Sequence, residues 1–100
     1  GPPDATARRE ILTRQVDGVP GNEALELDAW GERLEGCTGS DIVGLVDAAK
    51  RAALRRSTEG PRLPCLADVD LAEAAKGIAA SATPELLRQY EEFLQQRFVS

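Results

Sequence analysis

Apolar positions recur along this chain at intervals of three and four, the period of helices packed on a common core. The clearest series follows Asp41. Ile42, Leu45, Val46, Ala49 and Ala53 fall on one face of a helix running to about Arg56. Just ahead of it, Glu35-Gly36-Cys37-Thr38-Gly39-Ser40 offers Thr38 or Ser40 as a cap for the first free amides, and Asp41 suits the positive end of the helix dipole. Upstream, Asp4 is placed to cap a helix from about Ala5 to Val16, with Ile11, Leu12 and Val16 as its apolar side. A shorter helix from Asp28 to Glu35 buries Leu27, Trp30 and Leu34, and Gly36 stands just past its end. A fourth begins near Asp68, where Leu71, Ala74, Ala75 and Ile78 keep the same spacing; Gly77 weakens its end, so fraying is expected there. Thr83-Pro84-Glu85 opens a last helix toward Phe98, lined on one side by Leu87, Tyr90, Leu94 and Phe98.

Between these segments lie breaks of recognisable chemistry. Asp17-Gly18-Val19-Pro20-Gly21-Asn22 reads as a turn, and Gly60-Pro61 with Pro64 forbids a continuous helix through Ser57 to Pro64. A short extended piece fits Arg62 to Leu66, and Ala79 to Ala82 forms a connector. No alternating pattern is long enough for a strand of a sheet. The expectation is an all-α fold, a single domain over residues 1–100 built as a small bundle of about five helices. With only Trp30, Tyr90, Phe93 and Phe98 as aromatics, its core must come from Leu, Val, Ile and Ala, which suits closely packed helices.

Charge narrows the partners. A formal net charge of −5 and the absence of histidine argue against a nucleic-acid backbone as ligand. The basic group Lys50, Arg51, Arg55 and Arg56 reads as a solvated flank that also suits the C-terminal end of its helix. Cys37 and Cys65 are too few for a metal site and read as free thiols of a reducing, cytoplasmic setting. No segment has the length of a membrane span, so no membrane partner is expected.

Catalytic chemistry is scarce in these residues. There is no histidine to act as a base, no GxxxxGK[ST] phosphate loop, and no apolar run ending in two acids to hold magnesium. The acid pairs Asp68–Asp70 and Glu91–Glu92 stand in helical or cap settings where solvation accounts for them. What remains is the corner ahead of the third helix, where Gly39 lets another molecule approach the backbone closely, as phosphates and nucleotides do.

The order of the segments carries more. Pro2-Pro3-Asp4 with Ala7-Arg8-Arg9-Glu10-Ile11-Leu12, then Leu27 to Glu35, then Gly36-Cys37-Thr38-Gly39-Ser40-Asp41-Ile42, resembles the small helical lid of AAA ATPases. Ala67-Asp68-Val69-Asp70-Leu71-Ala72-Glu73-Ala74 looks like that family's next helix. Ser81-Ala82-Thr83-Pro84-Glu85-Leu86-Leu87-Arg88-Gln89-Tyr90-Glu91 resembles the tail of the last ATPase module in unfoldases of the valosin-containing-protein type.

That resemblance implies a piece of a larger hexameric ATPase, entered from the large nucleotide-binding domain near Gly1–Asp4. It implies ATP or ADP as ligand, with magnesium held by the large domain, and partners in that domain, in neighbouring subunits of a homo-hexamer, and in protein substrates or adaptors. Carried over by position, Gly39 and Ser40 match small residues that lie against the nucleotide, Ile11 an apolar residue touching adenine, and Gln15 a polar residue reaching the base. Taken by themselves, Ile11 is a core residue, Gln15 a surface residue, Gly39 a turn residue and Ser40 a cap. A free-standing helical adaptor for a partner protein is the alternative reading. The chain also departs from the family pattern. No arginine stands at the start of the third helix, as in the valosin-containing-protein branch; Ser40 stands where alanine is usual and Cys37 where an aromatic is common. Gly31, where alanine is more usual, should soften the second helix by roughly 1 kcal/mol.

Overall fold

A computed structural model describes residues 1–57, 64–79, 88 and 92. The described elements are helical: α1 (Ala5–Gln15), a 3-10 turn (Asn22–Ala24), α2 (Leu27–Arg33), α3 (Gly39–Arg56) and α4 (Asp68–Ala79). No strand occurs among the described residues. The expected last helix lies almost wholly outside them, though Arg88 and Glu92, both exposed, are helical.

Local chemistry sets the helix starts. The Asp4 carboxylate accepts the Ala7 amide at 2.8 Å and begins α1 where its sequence predicts. Thr38, rather than Ser40, caps α3, so that helix opens at Gly39, two residues ahead of the expected Asp41. The cap is reciprocal: the Asp41 amide donates to Thr38 Oγ1 at 3.1 Å, and the Thr38 amide donates to Asp41 Oδ2 at 2.9 Å. At the far end, α4 runs through Gly77 to Ala79, so the fraying expected at Gly77 is not seen. A single glycine costs about 1 kcal/mol, too little to stop a helix already anchored along its length.

α3 is the axis of the molecule. It packs against α4 along one side and α1 along another, while α2 lies on α1. Leu12, Trp30, Leu34, Ile42, Leu45, Val46, Ala49 and Leu71 have no exposed surface. Burial of each of the larger apolar side chains stabilises the fold by roughly 1.5–3 kcal/mol. Cys37 joins this core at 3% exposure, filling a place where the resemblance anticipated a larger side chain. The two cysteines are not joined, and Cys65 is exposed.

The turn after α1 and the segment before α4 fit against each other. The Leu66 amide donates to the Pro20 carbonyl at 2.8 Å. Gly21, at φ +89°, lies so close beneath that a Cβ there would sit 2.6 Å from the Leu66 carbonyl oxygen. Any side chain at Gly21 would push this segment off the core. Of the extended piece expected over Arg62 to Leu66, the first two residues lie outside the described ones; Pro64–Ala67 carries no regular structure and meets the turn through the Leu66–Pro20 hydrogen bond.

Gly31, expected to soften α2, has a packing role as well. It is buried, and a Cβ on it would approach the Ala5 carbonyl oxygen at 3.2 Å and Arg9 Cβ at 3.3 Å. The missing side chain lets α1 and α2 touch. What glycine costs in helix propensity is set against a closer contact between helices.

Candidate functional site

Of the four residues singled out by resemblance, Ile11 and Gly39 come together where the start of α3 meets α1, while Ser40 follows Gly39 in α3 and Gln15 follows Ile11 along α1. Gly39 is the first residue of α3 and half-buried; the space a Cβ would fill there is bounded by Ile11 Cδ1 at 3.8 Å. Ile11 and Gly39 are therefore neighbours across the helix pair, although 28 positions separate them. Ile11 packs against the core without being enclosed by it. Gln15 is half-buried one helical turn further along α1, and Ser40 is exposed.

This corner sets one apolar side chain beside polar groups. Ile11 offers a dispersion contact, and Gln15 an amide that can both donate and accept. Gly39 and Ser40 stand at the first two positions of α3, where backbone N–H groups have no acceptor within the helix. Thr38 accepts the Asp41 amide and so satisfies the third of these donors.

Two groups of polar residues escaped the sequence reading. The first is Arg8, only 6% exposed, whose Nε donates to the Gly31 carbonyl at 2.6 Å and whose Nη1 donates to the Pro3 carbonyl at 2.7 Å. The signal was present: Arg8, Leu12 and Val16 lie four apart, and all three are buried. The second corrects the reading of Asp68 and Asp70 as solvated acids. Asp70 is 3% exposed; it receives Arg56 Nε at 3.0 Å, Arg56 Nη2 at 2.8 Å and the Ala67 amide at 3.0 Å. Asp68 Oδ1 receives Trp30 Nε1 at 3.0 Å and the Glu26 amide at 3.2 Å. Arg56 is accordingly no mere solvated flank. Its guanidinium also donates to the Cys65 carbonyl at 2.9 Å, and its pKa is raised chiefly by the hydrogen bonds to Asp70, with slight burial opposing.

A separate groove of about 260 Å³ lies at the other end of α3, lined by Val19, Lys50, Ala53, Leu54 and Leu66 among others. Eleven residues of helix separate Gly39 from Lys50, roughly 16 Å along the axis, so the groove and the Gly39 corner are distinct places.

Comparison with known proteins agrees with this architecture. Residues 24–62 match the family model described as the AAA+ lid domain. The chain is 37% identical over 97 residues to the ATPase family gene 2 protein of Saccharomyces cerevisiae, covering 93% of this chain and 12% of that protein. It is 30% identical over 93 residues to the protein of the same name from Schizosaccharomyces pombe, covering 93% of this chain and 11% of the relative. An ATP-dependent zinc metalloprotease FtsH 2 of Symbiobacterium thermophilum is 41% identical over 56 residues, covering 56% of this chain and 10% of its own length. The chain belongs to the helical lids of AAA ATPases. It spans about an eighth of the length of the first two relatives.

Proposed function

We propose that this domain is the nucleotide-sensing lid of a hexameric AAA ATPase of the valosin-containing-protein type, acting in protein unfolding or remodelling in the cytoplasm. Its corner at Ile11, Gln15, Gly39 and Ser40 lies over the adenine and ribose of ATP or ADP. The large domain of the same parent protein supplies the phosphate loop and the magnesium. The observation that carries this reading is the placement of Ile11 beside the side-chain-free face of Gly39, with Ser40 exposed, in an AAA ATPase lid.

A lid provides one wall of a binding site, and the opposite wall belongs to the domain on which it closes. That is why the corner is a surface here, and why the groove beside Leu54 is not the nucleotide site. A ligand moves the lid only through contacts that differ between its open and closed positions. Ile11 and Gln15 on α1, with Gly39 and Ser40 on α3, would give such contacts on two helices of one body. Rotation of that body against the next subunit passes each nucleotide state around the ring.

The test is calorimetry with this chain alone. One wall of a site supports ATP binding in the millimolar range or weaker, which corresponds to no more than about 4 kcal/mol. Nanomolar binding would contradict the proposal, because it would require a complete nucleotide site within the lid.

A further inference from the structure

Arg8 is a cation withdrawn from solvent whose hydrogen bonds, among the described residues, go to backbone carbonyls. Among the described residues no carboxylate forms an ion pair with it. A buried guanidinium is costly unless its donors are satisfied, and charged donors make stronger hydrogen bonds than neutral ones. Its two acceptors belong to segments far apart in the chain. The Gly31 carbonyl lies within α2, and the Pro3 carbonyl lies in the segment that leads into α1.

Three further contacts converge on the same place. Asp4 is held to α1 from both sides, its carboxylate by the Ala7 amide and its carbonyl by the Arg8 amide at 2.8 Å. Arg9 and Asp28 form an ion pair between α1 and α2. Gly31 has no Cβ to hold the helices apart at the point where Arg8 crosses. Pro3 and Asp4 are thus tied to the helical body before the first helix begins.

We propose that Arg8 is a positioning residue that clasps the entering chain onto α2, so that the rigid body of the lid begins at Pro3 and any swing pivots at Gly1–Pro2 or earlier. This places the pivot at the front of Gly1–Asp4, the segment by which the resemblance has the chain enter from the large domain. It rests on the lid reading for its mechanical meaning, while the clasp itself is a property of this chain and is measured without nucleotide. A lid whose entry segment is stiff turns as a lever from its first residues; a loose entry segment would let the helices lag behind the domain that drives them.

The experiment is backbone and side-chain nuclear magnetic resonance on the 100-residue chain. In the wild type, the Pro3 Cα–Hα vector is expected to be as ordered as α1, with an order parameter near 0.85, and the Arg8 Nε–H to show a coupling across its hydrogen bond to the Gly31 carbonyl carbon. In Arg8→Met, which keeps bulk but no donor, the Pro3 order parameter is expected to fall below about 0.6, while Asp4, still held by the Ala7 amide and the amide of residue 8, and residues 42–53 keep theirs. Leu71→Ala, remote from the clasp, should weaken the whole fold and leave Pro3 ordered. Two results overturn the clasp: a wild-type Pro3 already as mobile as a chain end, or an Arg8→Met variant with Pro3 unchanged. If Arg8→Met does not fold, the wild-type Pro3 order and the Nε coupling decide alone, and absence of either overturns it. Failure of ATP to perturb Gly39 would count against the nucleotide reading and leave this result standing.

Discussion

The two ends of α3 are built to opposite specifications. At its C-terminal end, Arg56, Asp70, the Ala67 amide and the Cys65 carbonyl form a network joining α3 to the start of α4, and Asp68 ties α4 to Trp30 of α2. At its N-terminal end Gly39 and Ser40 carry little or no side chain, and the described side-chain hydrogen bonds there are those of the reciprocal cap of Thr38 and Asp41. The dense end makes the helices one body. The sparse end leaves backbone donors and an apolar neighbour open to something outside the chain. Under the proposed function, stability and ligand contact would be separated along one helix by roughly 25 Å, at 1.5 Å per residue.

The largest effect should come from Trp30, which is fully buried and bonded to Asp68 at the closed end. Trp30→Ala is expected to cost about 3–5 kcal/mol in chemical denaturation. Trp30→Phe keeps most of the packing and leaves the Asp68 carboxylate without its indole donor, which should cost about 1–2 kcal/mol. A Trp30→Phe variant as stable as the wild type would remove the Asp68 bond from the account.

Asp70→Asn should cost about 2 kcal/mol, because it removes the charge that receives Arg56 while leaving the buried amide group in place. The pH dependence follows from Arg56. Its pKa is raised in the folded state, so its stabilisation is fully present below the ordinary arginine value and is lost only as pH rises through the folded one. The stability difference between wild type and an Arg56→Met variant should therefore stay flat between about pH 6 and pH 10. A difference that shrinks toward pH 10 would show that another group governs this end.

Thr38→Ala should cost about 1 kcal/mol by loss of the cap, and would mark the lesser stake the sparse end has in folding. Smallest of all, Gln15→Ala and Ser40→Ala should each stay within about 0.5 kcal/mol of the wild type. If either destabilised the chain as much as Asp70→Asn, the corner would be part of the structural frame, and the contrast between the two ends would fail.

What could be read from the sequence follows this division. Local signals located the helices well: Asp4 and Thr38 cap, the turn at Asp17–Asn22 breaks, and the period of Ile42, Leu45, Val46, Ala49 and Ala53 is the buried face of α3. The ties between segments were not legible, because their partners are distant in sequence. Arg8 meets Gly31 across 23 positions, Trp30 meets Asp68 across 38, and Arg56 meets Asp70 across 14. Charged residues were read as solvated for the same reason. Of the corner itself, periodicity could place Ile11 on a packed face, but the approach of Gly39 to it depends on how α1 crosses α3. Only a family pattern could bring Gln15 and Ser40 into the same site.

The most direct test of the proposed nucleotide contact at Gly39 is an ATP titration of this chain followed by amide and methyl resonances up to about 10 mM, a range suited to millimolar affinity. The expected result is progressive movement of Ile11, Gln15, Gly39 and Ser40, with Lys50, Leu54 and Leu66 unaffected. Movement confined to the groove beside Leu54, or none at Gly39 and Ser40 across the titration, would contradict it.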